Sequence, residues 1–415
     1  MSMKALLHAN THKPLRVMYA AGPGDIVMAH RSWMAGQQAS KEVSITFSSQ
    51  IADAFLGTDC ILYMQSDYYR KDILLDRNWV IENRPLSSIS AHGAIFHLIL
   101  LWKTARIVAT ALHFHADVLF IDSGRAEWFG LSPLKWFGIS VIPILHNNMW
   151  PAGHKSTRIM KLLVYRLNGR YWRSTPTATI AFSPECERQV LEIAGHTNGP
   201  IIQARAQFLA SYFDAIPAPP DRTGQPFQVM YAGRIEKDKG ALDLAQMAQR
   251  LEKLQPGHFA WTICGDGSAL AELSALIKEY RLEGSVILKG RQNREQMAEA
   301  YSQAQAIVVP TKSSFAEGFA MVVAEAVLAG RPCVTSSVVP ALEILEDACV
   351  RAVTDDVDSY VAALLALASD RKLYKKKAEA CAALRQQFVD RSFGLTAAIK
   401  LVFSQCGLQS RLHAQ

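Results

Sequence analysis

Pro217, Pro219, Pro220, Gly224 and Pro226 break the 415-residue chain into two stretches written in the same pattern. On either side, short apolar runs alternate with longer helix-period segments. Proline fixes φ and has no amide hydrogen to give a sheet, so this cluster reads as a linker between two strand–helix series. Repeated strand–helix alternation buries its apolar faces as a parallel sheet covered by helices. The length also exceeds what one core usually supports. The expected plan is an α/β domain over 1–213, a linker over 214–226 and a second α/β domain over 227–390. A terminal helix within 391–415 would pack back toward the first domain.

In the first half, Leu15 to Ala21 enters the turn Gly22-Pro23-Gly24-Asp25, followed by a helix-like segment toward Gln38. Val43 to Phe47 alternates like a strand, and Asp59 to Met64 reads as another. The apolar stretch Ser87 to His115 predicts a long helix facing the core. Asp117 to Ile121 is a buried-type strand ending at Asp122-Ser123-Gly124, and Ile139 to Leu145 delivers His146-Asn147-Asn148. Ligands of parallel α/β sheets bind beyond the carboxyl ends of strands, which makes His146 a candidate, although a structural histidine fits the same position. Gly22 and Gly24 would let a backbone approach a ligand. The turn lacks the third glycine of a dinucleotide fingerprint, which argues against a nicotinamide cofactor.

Three loops of the second half bear chemistry. Strand Phe227 to Ala232 feeds Gly233-Arg234-Ile235-Glu236-Lys237-Asp238-Lys239-Gly240. Arg234 and Lys239 are close enough around this turn to converge on one phosphate, the arginine as a fork and the lysine as a point charge. A solvated turn neutralised by Glu236 and Asp238 fits the same residues. Strand Phe259 to Cys264 feeds Gly265-Asp266-Gly267, and Val286 to Lys289 precedes Arg291 and Gln292. Strand Ala306 to Val309 feeds the stretch Pro310 to Glu325, a polar loop opening an apolar helix. Unpaired amides and the positive end of a helix dipole suit an anion there. Glu317 and Glu325 would avoid phosphate and accept hydrogen bonds from sugar or ribose hydroxyls.

Charge is unevenly placed. Residues 1–205 hold 21 Lys and Arg against 14 Asp and Glu, the whole formal excess of +7, and no acid occurs from Trp128 to Pro184. Lys135, Lys155, Arg158, Lys161, Arg166, Arg170 and Arg173 fall there, interleaved with Trp150, Tyr165, Tyr171 and Trp172. Such a face seeks an anionic partner, whether lipid headgroups, nucleic acid or a phosphorylated substrate, and rings of this kind settle among headgroups, although a solvated helix face fits the same residues. The scattered cysteines form no Cys-x-x-Cys pair or zinc spacing and read as reduced thiols. The polar residues Met1 to Pro14 do not read as a signal peptide. The most apolar window, Ala94 to Trp102, is about half of a bilayer span. The expectation is a cytoplasmic protein, peripheral on the inner face of the membrane.

Together, Gly233-Arg234…Lys239-Gly240, Gly265-Asp266-Gly267, Glu317-Gly318-Phe319 with Glu325, and Arg391-Ser392-Phe393 resemble the retaining glycosyltransferases of family four, which have the GT-B fold. The resemblance is close over about 227–345 and looser in the first domain, where Gly22-Pro23-Gly24 departs from the commoner Gly-Gly form. It implies two doubly wound Rossmann-like domains facing each other across a cleft. It also implies transfer of a hexose from a nucleotide-diphosphate sugar to a glycan or lipid-linked acceptor, in cell-surface polysaccharide or glycolipid biosynthesis. Neither a metal nor a cofactor beyond that donor is implied. His146, Glu317, Arg234 and Lys239 would be catalytic. Gly22, Gly24, Arg234, Lys239, Gly265, Arg291, Gly318, Phe319, Ala320 and Glu325 would bind the donor, with backbone donors supplied around Gly318-Phe319-Ala320 and the ribose held by Glu325.

Three rivals stay open on the sequence. A nucleotide-sugar epimerase of the same fold would leave the basic face without a purpose. A phosphorylase would need a lysine in a cofactor-anchoring context. A non-catalytic protein binding nucleic acid or other anions through residues 150–173 would lack any accompanying nucleic-acid motif.

Overall fold

The computed structural model describes residues 14–36, 43–86, 93–219 and 224–408. Two sheets organise them. The first comprises β1 (Arg16–Ala20), β2 (Ile61–Ser66), β3 (Asp72–Asp76), β4 (Trp79–Asn83), β5 (Val118–Asp122), β6 (Ser140–Leu145), β7 (Thr179–Ala181) and β8 (Ile201–Gln203), in the order β3-β4-β2-β1-β5-β6-β7-β8. Every pairing is parallel except β3 with β4. The second comprises β9 (Phe227–Ala232), β10 (Phe259–Cys264), β11 (Val286–Gly290), β12 (Ala306–Val309), β13 (Cys333–Ser336) and β14 (Cys349–Ala352), all parallel, in the order β11-β10-β9-β12-β13-β14. Both are doubly wound Rossmann-like sheets, and the two domains face each other as in the GT-B fold. Central strands such as β1 and β5 are buried along their whole length because helices cover both faces of a parallel sheet.

The last described helix packs on the first domain. In helix Leu395–Gln405, Leu395, Ile399, Val402 and Phe403 recur at helical spacing and are buried in one core with Ile51 and Phe55. The Phe55 and Phe403 rings meet edge-on at 5.6 Å. Leu395 N donates to Gln50 Oε1 at 2.9 Å, and Thr396 Oγ1 to the Gln50 carbonyl at 2.8 Å. Burying each of these apolar side chains contributes about 1.5–3 kcal/mol, which fastens the tail across the domain boundary.

Four local expectations are corrected. Val43 to Phe47 is not a strand. Ser44 makes an isolated antiparallel bridge to Phe208, and Phe47 opens helix Phe47–Phe55, capped by Thr46 Oγ1 accepting from Ser49 N at 3.2 Å. A Thr-x-x-Ser cap outweighed the short alternation. Nothing in the sequence marks the β3–β4 hairpin, whose turn has no glycine and places Arg77 at φ 54.

The long helix, described over Gly93–His113, faces the core only in its second half, through Ile107 and Ala111. Ile95–His113 is apolar and long enough to cross a membrane by length and composition, with mean hydropathy 1.5 and 17% of that window buried. Reading the apolar window as ending at Trp102 understated it, because Lys103 and Arg106 interrupt the run without ending the helix. Finally, Trp150, Tyr165, Tyr171 and Trp172 are buried rather than set among headgroups. Trp128 and Trp172 pack with ring centres 5.3 Å apart, and Trp150 and Tyr165 at 4.9 Å. The exposed apolar side chains of helix Ile159–Ser174 are instead Ile159, Met160, Leu162 and Leu163 at its start.

Candidate active site

In an open α/β sheet the crevice forms where the strand order reverses. For the second sheet that point lies between β9 and β12, so the loops after these strands meet. Tyr231 Oη donates to the Arg234 carbonyl at 2.7 Å and pins the first loop. Gly240 takes φ 71, and a Cβ there would fall 2.0 Å from the Pro310 carbonyl oxygen, so only glycine lets the two loops touch. Lys312 N donates to the Asp238 carbonyl at 2.9 Å, closing the contact from the other side.

This junction aims the two cations at one place. The Lys239 ammonium sits 4.0 Å from the Phe315 ring centre and the Arg234 guanidinium 5.6 Å from the same ring. Lys239 also pairs with Glu317, whose Oε2 accepts from Thr311 Oγ1 at 3.3 Å. Glu325 leaves the following helix, Met321–Leu328, and accepts from Tyr301 Oη at 2.8 Å. Burial pushes the Glu325 carboxyl above the usual carboxylate range, partly offset by that hydroxyl. Ala320, the residue before this helix, holds φ 67. Left-handed backbone costs a non-glycine residue about 1–3 kcal/mol, and strain of this kind collects where a loop must present its amides.

Around these loops lies a cavity of about 490 Å³. Arg234, Lys239, Gly265, Arg291, Glu317, Ala320 and Glu325 all line it, with Asp266 and Gln292. Phe319 points away, into the core against Phe388 at 6.0 Å, and so anchors the loop backbone. A larger cavity of about 880 Å³ lies at the opposite end of the second sheet, by Phe227, His258 and Gln305. These residues stand at the starts of strands, where parallel sheets do not gather ligand groups.

The first domain contributes its own switch point, between β1 and β5. Asp122 is buried there and accepts from Gly22 N at 2.9 Å and Tyr19 Oη at 2.8 Å. Burial pushes its carboxyl up. His146 follows β6, its backbone amide 3.2 Å from Ser123 Oγ and its ring 5.3 Å from Phe47. Its Nδ1 is shielded from solvent without a hydrogen-bond partner, and burial lowers its pKa although Asp122 opposes this. Gly22, Gly24 and His146 do not line the 490 Å³ cavity. Of the three, His146 touches the loop that borders this cavity: a Cβ on Gly318 would fall 1.9 Å from the His146 carbonyl oxygen. The two switch points therefore touch at Gly318 and His146. Phe315, Thr311, Tyr301, Tyr231 and Asp122 belong to the site without being named by the motifs. Sequence signals existed for three of them: Thr311 and Phe315 lie within the stretch Pro310 to Glu325, and Asp122 ends a buried-type strand before Ser123-Gly124.

Comparison with known proteins fits this architecture. Residues 213–383 match the family model described as Glycosyl transferases group 1. Glycogen synthase of Mycobacterium tuberculosis is 32% identical over 117 residues, 28% of this chain and 27% of that protein. The amylovoran biosynthesis glycosyltransferase AmsK of Erwinia amylovora is 31% identical over 119 residues, 28% of this chain and 29% of that one. The chain thus spans less than a third of the length of the curated relatives it matches. The solved structure of Anabaena Alr3699/HepE in complex with UDP superposes with a TM-score of 0.63 at 14% identity, covering 95% of this chain and 100% of that one. The fold is that of a GT-B glycosyltransferase, and the matched segment surrounds the cavity.

Proposed function

We propose that this protein is a retaining, metal-independent hexosyltransferase. In this reading it moves a hexose from a nucleotide-diphosphate sugar to a glycan or lipid-linked acceptor, in cell-surface polysaccharide or glycolipid biosynthesis. The observation behind it is the convergence of Arg234 and Lys239 on Phe315 at a wall that also holds Glu317 and Glu325. As the bond from the sugar carbon to the diphosphate breaks, negative charge grows on the leaving phosphate. Arg234 and Lys239 meet that charge, and backbone amides around Gly318-Phe319-Ala320 add donors. Two protein cations supply what a divalent ion supplies elsewhere. The donor is the only co-substrate. The ribose hydroxyls donate to Glu325. Glu317 releases Lys239 to the diphosphate and orients the transferred sugar. His146, whose neutral form burial favours, faces the reacting carbon from the acceptor side together with the turn Gly22–Gly24.

The Anabaena protein was solved with UDP and with UDP-glucose, which supports a uridine donor carrying a hexose. The amylovoran enzyme supports a role in polysaccharide assembly. The acid-free stretch from Trp128 to Pro184, with the exposed Ile159 and Leu163, supports peripheral attachment to the inner face of the membrane. The test is a screen of nucleotide sugars for hydrolysis and for binding by calorimetry, with Arg234→Ala and Lys239→Ala as controls. Each substitution removes one charge-assisted hydrogen bond worth about 1.5–3 kcal/mol and should weaken nucleoside-diphosphate binding about tenfold or more. Unchanged affinity in both folded variants would sink the assignment.

A further inference from the structure

The first domain holds a basic pocket that the donor site leaves unused. Arg84, Lys103, Arg106 and Arg125 line it together with Asp67. Asp67 follows β2, Arg84 follows β4 and Arg125 follows β5, so the pocket opens at the carboxyl ends of the strands, where ligands of such sheets sit. Lys103 and Arg106, one turn apart on helix Gly93–His113, reach it from above. The Lys103 ammonium is 3.4 Å from Asp67 Oδ2, and Arg125 pairs with the same oxygen. Two cations thus share one carboxylate, and two more line the same pocket.

The Arg125 side chain is only 6% exposed and its Nε has no hydrogen-bond partner. A buried guanidinium donor left unpaired is costly, and an added anion would remove that cost. The pocket is about 20 Å³, room for one water, with Asp67 in its wall. An entering phosphate would exchange with that carboxylate and take over its partners. The pocket is also tied to the acceptor-side turn. Ser66 Oγ bonds Asn83 Oδ1 at 3.0 Å, and Asn83 Nδ2 donates at 2.7 Å to Asp25, the residue after Gly24.

We propose that this pocket binds a phosphate group of the acceptor. One observation favours a phosphate borne on an alkyl chain. Ile95, Leu98 and Trp102 line up at helical spacing on the same helix, exposed by 60%, 65% and 51%, and the stripe ends where the Arg106 guanidinium lies 4.9 Å from the Trp102 ring. An apolar stripe leading into a cationic pocket matches an amphiphile with a phosphate head. The assignment rests on the transferase reading only in calling this ligand an acceptor.

The test separates the two readings. Inorganic phosphate, and separately dodecyl phosphate below its micelle concentration, are titrated by calorimetry into the Arg234→Ala/Lys239→Ala protein, whose donor site no longer competes. Both should bind. Adding Lys103→Gln and Arg106→Gln should weaken both about tenfold or more, and Asp67→Asn should tighten both. Tighter binding of dodecyl phosphate, cancelled by Leu98→Ser, assigns the phosphate to a lipid; equal binding assigns it to a soluble acceptor. Either result sustains the pocket. In the otherwise native chain, Lys103→Gln with Arg106→Gln should leave nucleoside-diphosphate binding unchanged, so failure of the donor reading shows separately. Absence of phosphate binding in the doubly substituted parent, or binding indifferent to Lys103→Gln and Arg106→Gln, overturns the proposal.

Discussion

The two domains share a sheet architecture and differ in how they use it. At the switch point of the second, charged side chains from three loops close on one cavity, where Lys239 pairs with Glu317 and Glu325 accepts from the Tyr301 hydroxyl. At the switch point of the first, the contacts are a turn amide on buried Asp122 and the shielded ring of His146. The first domain carries the entire formal excess of charge and exposes apolar side chains on two helices, Gly93–His113 and Ile159–Ser174. A nucleotide diphosphate is small, rigid and strongly charged, so a few local side chains can recognise it. In the proposed reading, a larger or membrane-borne acceptor would be met by surface, charge and backbone shape.

The comparison breaks if the first domain contributes no chemistry. His146→Ala should keep nucleoside-diphosphate binding and lower transfer on the order of 10²-fold, the usual loss when one group facing the developing charge is removed. Burial lowers the His146 pKa from the ordinary histidine value, against the pull of Asp122, and so favours the neutral imidazole. Transfer at the parental rate by the folded variant would make His146 a structural residue and leave the chemistry to the second domain alone.

The same asymmetry governs what the sequence reveals. Arg234 and Lys239 are visible because they share one loop. Glu317 and Glu325 are visible because they bracket one helix start. The pairings that aim them are not, because each joins separate segments of the chain: Tyr301 with Glu325, Phe315 with both cations, Pro310 with Gly240. Likewise β3 and β4 form around a turn without a glycine signal, and Arg125 finds Asp67 only once β2 and β5 flank β1. Periodicity marked helix Gly93–His113 but not its exposed half, since an apolar residue reads alike in a core and on a docking face. Doubly wound order follows readily from strand–helix alternation; contacts between distant segments do not.

Glu325 sharpens the comparison from the donor side. Its folded pKa is raised, so the folded protein binds that proton more tightly than the unfolded chain does. The resulting stability is present below the unfolded carboxylate value and is lost as pH rises through the folded one. Glu325→Gln should therefore raise the unfolding temperature at about pH 7.5, with the gain vanishing near about pH 4. If the carboxylate holds the ribose, the same change should weaken nucleotide binding about tenfold. A variant that is stabilised and still binds normally would remove Glu325 from the donor site while keeping it as a strained buried acid.

The smallest effect is expected at the charged contact between the domains. Arg188 Nη1 and Nη2 lie 2.9 and 2.7 Å from the two Glu343 oxygens, a bidentate pair joining the first domain to the second. The pairing raises the Arg188 pKa, yet the side chains are 55% and 45% exposed, so water screens most of the attraction. Pairs of this kind contribute about 0–1 kcal/mol. Arg188 also pairs with the buried Glu185, so the inter-domain pair is tested from its other end. Glu343→Ala should lower thermal stability by no more than that, and the difference should fade in about 1 M salt, where the screening length shrinks to about 3 Å. The tight contact of Gly318 with the His146 carbonyl should persist, because it depends on shape rather than charge. A loss above about 2 kcal/mol that survives salt would mean that the ion pair, rather than the glycine contact, sets how the two switch points face each other.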